Sequence, residues 1–372
     1  MRTGQRMMVM ALLAGFVTVS AFAQTVAEGQ WINLFDKEST FGWLQFGDAQ
    51  WKVANGELTA TEGTGGWLVT TTQFADFEVA AKIKVTNEGT MTFTVRAALD
   101  GHPSETGAGA LTIPAGEAVW HEIAVKAVGA DVTATLDGKA VEGFGASAKR
   151  GHIGISFDCY HGDKGRKTEV AISEVKLRPL NLTSIFNGKD LTGWNILPKH
   201  KSVFSVVDGS MNIKNGNGQI ETAGTYKDFV LQLDIMANGT LEKPLNSGVF
   251  FRGPVGVFWK GYESQVRNEF SDGDRSKPVD FGTGGLYGVQ GARKVVPEEK
   301  KWFQKTVICE GNHIAVWVDG YQVTDYFDTR PVSPEDDGKN GFVPGPGTIH
   351  LQGHDPTTDM FFKNINLQEY GK

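Results

Sequence analysis

The chain has 372 residues, with 36 Lys and Arg against 43 Asp and Glu and a formal net charge of −7. A mildly acidic chain lacks the basic footprint expected of nucleic-acid binding and gives no reason to expect adhesion to an anionic membrane. The length allows two ordinary domains with full cores.

In chain order, Arg2 and Arg6 precede an apolar stretch over 7–22 that ends in Ala21-Phe22-Ala23, the order of a secretory signal peptide cleaved after Ala23. The stretch is too short for a comfortable membrane span, and Gln24 stands where a lipoprotein would carry its acylated Cys. The expectation is a protein exported without a lipid anchor, periplasmic or secreted. Removing 1–23 leaves 349 residues (372 − 23) with a charge of −9, because 34 basic residues remain against 43 acidic ones.

After the leader the chain states one series twice. Phe41-Gly42-Trp43, Trp51-x-Val53-x-Asn55-Gly56 and Asp76-Phe77 return as Leu191-Thr192-Gly193-Trp194, Phe204-x-Val206-x-Asp208-Gly209 and Asp228-Phe229. The offsets are 151 (194 − 43), 153 (206 − 53) and 152 (229 − 77), whereas Trp120 with Asp137-Gly138 returns as Trp302 with Asp319-Gly320 at an offset of 182. Copy two thus carries about 30 extra residues (182 − 152) before Trp302. Glu263 is expected inside this surplus and Arg252 at its edge.

Forty-seven glycines, abundant Val, Thr and Phe, and short alternating runs bounded by Asn-Gly and Asp-Gly pairs predict antiparallel strands. In copy two a hairpin is expected over 305–324, turning at Gly311-Asn312 and Asp319-Gly320; copy one repeats it over 122–136. No long segment has helical apolar spacing. The predicted architecture is all-β: two tandem jelly-roll sandwiches, residues 24–179 and 180–372, joined near Arg178-Pro179-Leu180-Asn181, with a long loop over 330–346. Trp194, Phe204, Trp302 and Trp317 are read as core. Cys159 and Cys309 are the only cysteines; an oxidising compartment permits a bridge, but two buried thiols are the preferred reading.

Candidate chemistry concentrates in copy two. In an extended strand Glu263 and Gln265 share a face, and Asn246, Phe250 and Arg252 share a parity. Gly353 before His354 can carry the backbone into a turn that presents the imidazole at a rim. Trp259 is a candidate sugar platform. Plainer readings stand beside these: a solvated Glu263, an Arg252 paired with an acidic neighbour, a surface His354.

Four segments carry a family resemblance: Phe186-Asn-Gly-Lys-Asp-Leu-Thr-Gly-Trp194, Asn246-Ser-Gly-Val-Phe-Phe-Arg-Gly253, Gly261-Tyr-Glu-Ser-Gln265, and Leu351-Gln-Gly-His354 followed by Phe362-Lys-Asn-Ile365. Copy two resembles the 3-keto-disaccharide hydrolase family over almost its whole length. Copy one resembles it in framework, through Leu34-Phe-Asp-Lys-Glu38 and Gly42-Trp43. It has no Gly-Tyr-Glu-x-Gln counterpart, and Phe157-Asp-Cys-Tyr-His161 stands where Leu-Gln-Gly-His would be.

The resemblance implies a concanavalin A-like sandwich that cleaves glycosides already oxidised at C3. A ketone there acidifies the C2 hydrogen, so one base, donors for the enolate oxygen and an acid for the leaving oxygen suffice. Glu263 is expected as base, Arg252 at the enolate and His354 as acid, with the two ionisable roles of Glu263 and His354 exchangeable. Asn246, Gln265, Tyr287, Gln352 and Trp259 would hold the sugar. No cofactor is predicted, and a divalent metal bound by oxygen ligands is left open. The implied partners are an oxidised glycoside or disaccharide and a C3-oxidising dehydrogenase in the same pathway. The alternatives are a non-catalytic, lectin-like sugar binder and a conventional glycosidase using Glu221, Asp234 or Glu269 as second carboxylate.

Overall fold

The computed structural model describes residues 26–60, 63, 65–86, 90–116, 118–158 and 169–371. The predicted leader, 1–23, and Cys159 lie outside them. Cys309 is a buried free thiol, its pKa pushed up to about 12 by burial, as expected of an inert core cysteine.

Among the described residues all regular elements are strands, arranged in antiparallel sheets. Copy one pairs an eight-stranded with a six-stranded sheet; copy two pairs a nine-stranded with a five-stranded one. The local cause is plain in Phe77–Thr86, where Phe77, Val79, Ala81, Ile83 and Val85 are buried while the residues between them are partly exposed. That period of two gives the strand one core face and one wetter face. The fold is two tandem β-sandwiches, as the alternating runs predicted.

The repeated motifs perform the same work in both copies. Trp43 Nε1 donates to Leu34 O at 2.6 Å and Trp194 Nε1 to Ile185 O at 2.8 Å. The Asp137-Gly138 and Asp319-Gly320 pairs are all left-handed, with φ of 52, 74, 47 and 77°, as a two-residue hairpin turn requires. Trp302 departs from the core reading: it is 39% exposed, and Lys363 covers its ring at 4.0 Å.

Pairing register places the surplus of copy two. Phe93 faces Leu111, and its counterpart Val249 faces Ser264; Phe77 faces Ala127, and Phe229 faces Cys309. The offset is therefore 153 (264 − 111) up to Ser264 and 182 (309 − 127) at Cys309, so 29 residues enter after Ser264. This corrects the expectation for Glu263 and Arg252, both of which precede the surplus, as does Trp259. Glu263 stands on a strand that copy one also has. The inserted chain is the connection between Tyr262–Arg267 and Phe303–Glu310.

The sandwiches pack on one another. Val230, Ile308, Ala315, Trp317 and Tyr370 of copy two belong to the same buried cluster as the core of copy one. Trp317 is thus buried, but between the copies, where its Nε1 donates to Asn33 O at 3.1 Å. Burying aliphatic side chains such as Val230 and Ile308 contributes about 1.5–3 kcal/mol each. Val26–Ala27 also pairs with Leu182–Ser184, adding a strand from ahead of copy one to the large sheet of copy two.

Candidate active site

The outer face of the five-stranded sheet is polar and yet buried. Across neighbouring strands Glu221 faces His350, His350 faces Phe250, and Phe250 faces Glu263. In the adjacent row Gln219 faces Gln352 and Gly248 faces Gln265. Val249, Leu351 and Ile220 point the other way, into the core. Glu263, Gln265, Gln352, Glu221 and His350 are all buried, which for such residue types demands partners or a function.

Glu263 is 8% exposed. Burial pushes its carboxyl up to about 8, with Lys339 and Lys305 opposing and Asp280 and Asp337 adding to the rise. Below its strand, fully buried Lys305 crosses from the large sheet and donates to Gln265 O at 2.7 Å and Ser264 O at 3.1 Å. Burial pushes its ammonium down to about 7, against the pull of Glu263. Lys305 shares the parity of core residues Phe303 and Val307, and that placement was the available sequence signal for it.

Two inserted connections wall the groove. Asp280, from the 29-residue surplus, accepts from Asn246 Nδ2 at 3.0 Å and from Gln265 Nε2 at 3.1 Å. It went unnoticed in the sequence because copy one has no equivalent. Tyr287 donates its backbone N–H to Glu263 O at 3.0 Å; burial, then the charges of Asp280 and Glu263, raise its phenol pKa and keep it a donor. Lys339, from the second long loop, lies 5.3 Å over the Tyr287 ring.

His354 sits at the far end. Its Nδ1 lies 2.9 Å from Asp355 Oδ2, its Nε2 3.4 Å from Asn246 Nδ2, and the Trp259 ring is parallel to it at 6.0 Å. Asn246 faces Arg267, so it lies four residues along the strand from Glu263, roughly 13 Å. Gln265, Asp280 and Asn246 bridge that span. Asn246 Oδ1, Gln352 Oε1 and Trp259 Nε1 are buried without a protein partner. The structure therefore gathers Glu263, Gln265, Asn246, Tyr287, Gln352, Trp259 and His354 along one groove. Among the described residues no three His, Cys, Asp or Glu side chains cluster at metal-binding spacing.

Arg252 is the exception, and the expectation of an enolate-binding role is corrected. A bulge after Phe250 breaks the parity, and Arg252 takes a left-handed φ of 58°. Its fully buried guanidinium donates to Lys227 O, Gly311 O, Val343 O and Asp228 Oδ1 at 2.7–3.0 Å. Copy one builds the same clasp with Arg96, at φ 56°, on Ala75 O, Gly129 O, Ala148 O and Asp76. An arginine in identical surroundings in both copies, one without an acidic groove, is structural.

Register also shows what copy one lacks. Where copy two has Glu263, Gln265, His350, Gln352 and Glu221, copy one has Ala110, Thr112, Gly154, Ser156 and Val69. Ile155-Ser-Phe-Asp158, rather than 157–161, stands opposite Leu351-Gln-Gly-His354.

For the conventional-glycosidase alternative, Glu221 lies three strands from Glu263, roughly 14 Å. Asp234 is on the large sheet bound to Asn364, and Glu269 is paired with Arg267. None stands beside Glu263.

The double sandwich carries a buried polar face in copy two, and the family its sequence matches makes it a carbohydrate-active protein. The chain belongs to the family of the 3-keto-alpha-glucoside-1,2-lyase-like domain, whose model matches residues 30–166 and 181–368 and so covers both copies. Among solved structures it is similar to a "putative glycosyl hydrolase" from Parabacteroides distasonis, with 20% identity and a TM-score of 0.41 over 51% of this chain and 94% of that chain. A second such protein from the same organism shows 24% identity and a TM-score of 0.40 over 49% and 95%. Carbohydrate binding module CBM66 from Bacillus subtilis shows 16% identity and a TM-score of 0.33 over 48% and 97%. No curated protein matches the chain.

Proposed function

We propose that copy two cleaves 3-keto-glycosides by elimination across C1 and C2, followed by hydration. One observation carries this reading: the buried Glu263, its carboxyl raised to about 8, with amides in the adjacent row and the other buried carboxyl of this face, Glu221, three strands away. A carboxylate of that basicity is matched to removing a hydrogen acidified by a neighbouring ketone, and at pH 7 about a tenth of it is ionised. Glu263 takes the C2 proton, the electron pair moves onto the C3 oxygen, and Tyr287 and Lys339 stabilise that enolate in the role first expected of Arg252. Return of the pair expels the C1 oxygen, which takes a proton from His354, whose other ring nitrogen, Nδ1, lies 2.9 Å from Asp355 Oδ2. Water then adds to the unsaturated ketosugar.

In this reading Asn246, Gln352 and Trp259 hold the sugar, and the lack of protein partners for their buried Oδ1, Oε1 and Nε1 atoms supports it. A conventional pair of catalytic carboxylates is not required. The proposal includes export to the periplasm or medium and a dehydrogenase that supplies the C3 ketone. Assaying the purified protein on glucosides and their 3-keto derivatives tests it. Turnover only after C3 oxidation is expected, and turnover of the parent glucosides would point to an ordinary glycosidase.

A further inference from the structure

Copy one carries no acidic groove of its own, yet it reaches the groove of copy two. Arg293, in the 29-residue surplus, extends its guanidinium between the rings of Phe41 and Tyr321, 4.4 and 4.3 Å from their centres. There it pairs with Asp36 of copy one, donates to Ser39 Oγ at 3.2 Å, and donates Nε–H to Gln322 O at 2.7 Å. The Asp36 side chain is only 4% exposed. Lys294 and Tyr321 add bonds of 2.9 and 2.8 Å to Glu38.

The other end of this strap is the active-site wall. Ala292, next to Arg293, donates its N–H to Phe281 O at 2.8 Å. Phe281 follows Asp280, the carboxylate that Asn246 and Gln265 hold, and its ring meets Tyr287 edge-on at 5.1 Å. Asp280, Phe281 and Gly282 are consecutively left-handed, with φ of 50, 67 and 65°. Two non-glycine residues in that region, one a bulky aromatic, are strained and persist only where their surroundings over-determine them.

We infer that Asp36 is a positioning residue. Through Arg293 it holds the strained 280–282 turn, so the degenerate sandwich fixes the catalytic wall of its neighbour. The catalytic meaning of this wall rests on the reading of Glu263 above; the mechanical coupling does not. Substituting Asp36→Asn keeps the shape and removes the charge that Arg293 grips. Hydrogen exchange of the full chain reads the coupling without any substrate. Amides of 280–292 are expected to exchange at least about tenfold faster than in the parent protein, with the Trp194 and Trp317 regions unchanged.

Arg150→Ala, which breaks the interdomain ion pair to Glu310 at 2.8 Å, should leave 280–292 protected. Arg293→Lys should give an intermediate rate, since it keeps charge but loses the fork. Unchanged exchange in Asp36→Asn, or acceleration spread evenly over copy two, would overturn the inference. If the strap loosens as expected while the parent protein never turns over 3-keto-glucosides, the coupling stands and the functional reading fails.

Discussion

Gly248 lies directly opposite Gln265 and beneath the Glu263 side chain, where a Cβ would collide with Glu263 Oε1 and stand 2.7 Å from the Phe250 ring. The backbone there is not left-handed, so glycine is required for room rather than for its torsion. The absence of a side chain on one strand therefore sets the position of the carboxylate on the next.

Gly248→Ala should displace Glu263 and lower kcat/KM on 3-keto-glucosides by about 10²-fold, while overpacking costs roughly 1–3 kcal/mol of stability. Steady-state kinetics beside a denaturant titration checks this, with an active variant of normal kcat/KM as the contrary outcome.

Arg252→Met should act oppositely, through the fold. It removes the donor of the buried Val343 carbonyl and of the part-buried Lys227 and Gly311 carbonyls, and leaves Asp228 with only the Gly311 N–H, which costs about 1–3 kcal/mol, and Arg96→Met should do the same in copy one. Chemical denaturation reads the loss. Folded Arg252→Met should retain most of its activity at low temperature, because the guanidinium reaches no groove residue.

The pH dependence of stability has a defined sign. Glu263 keeps its proton in the folded chain up to about 8, whereas the free carboxyl loses it near its model value of 4.5. The folded state therefore binds more protons in that window, and stability falls as pH rises through it. Lys305, pushed down to about 7 from 10.5, contributes the reverse slope above 7. Glu263→Gln should flatten the fall between 4.5 and 8 and be the more stable protein at pH 8, by on the order of a few kcal/mol. Thermal melts across pH 5–9 measure it; parallel curves for the two proteins would contradict it.

Much of this was readable in the chain. Trp43 and Trp194, and the two Asp-Gly turns, gave the double sandwich because each motif encodes a local geometry that repeats. Glu263 and Gln265 were found on one face because their strand is regular. Arg252 departs from the face its spacing predicts because a bulge, invisible in spacing, rotates it away; its recurrence as Arg96 is the sequence signal of its structural role. Asp280 and the Asp36–Arg293 pair depend on contacts more than 250 residues apart in one case and on a strained turn in the other, and neither leaves a periodic trace.

The central claim is that Glu263 removes the C2 hydrogen of a 3-keto-glycoside. Its most direct test is turnover of a 3-keto-glucoside carrying deuterium at C2, by the parent protein and by Glu263→Gln, across pH 6–9. The account predicts a primary isotope effect, a kcat/KM that rises with pH toward a plateau above about 8, and loss of at least about 10³-fold activity in the variant. No isotope effect, or a Glu263→Gln variant as fast as the parent, would contradict it.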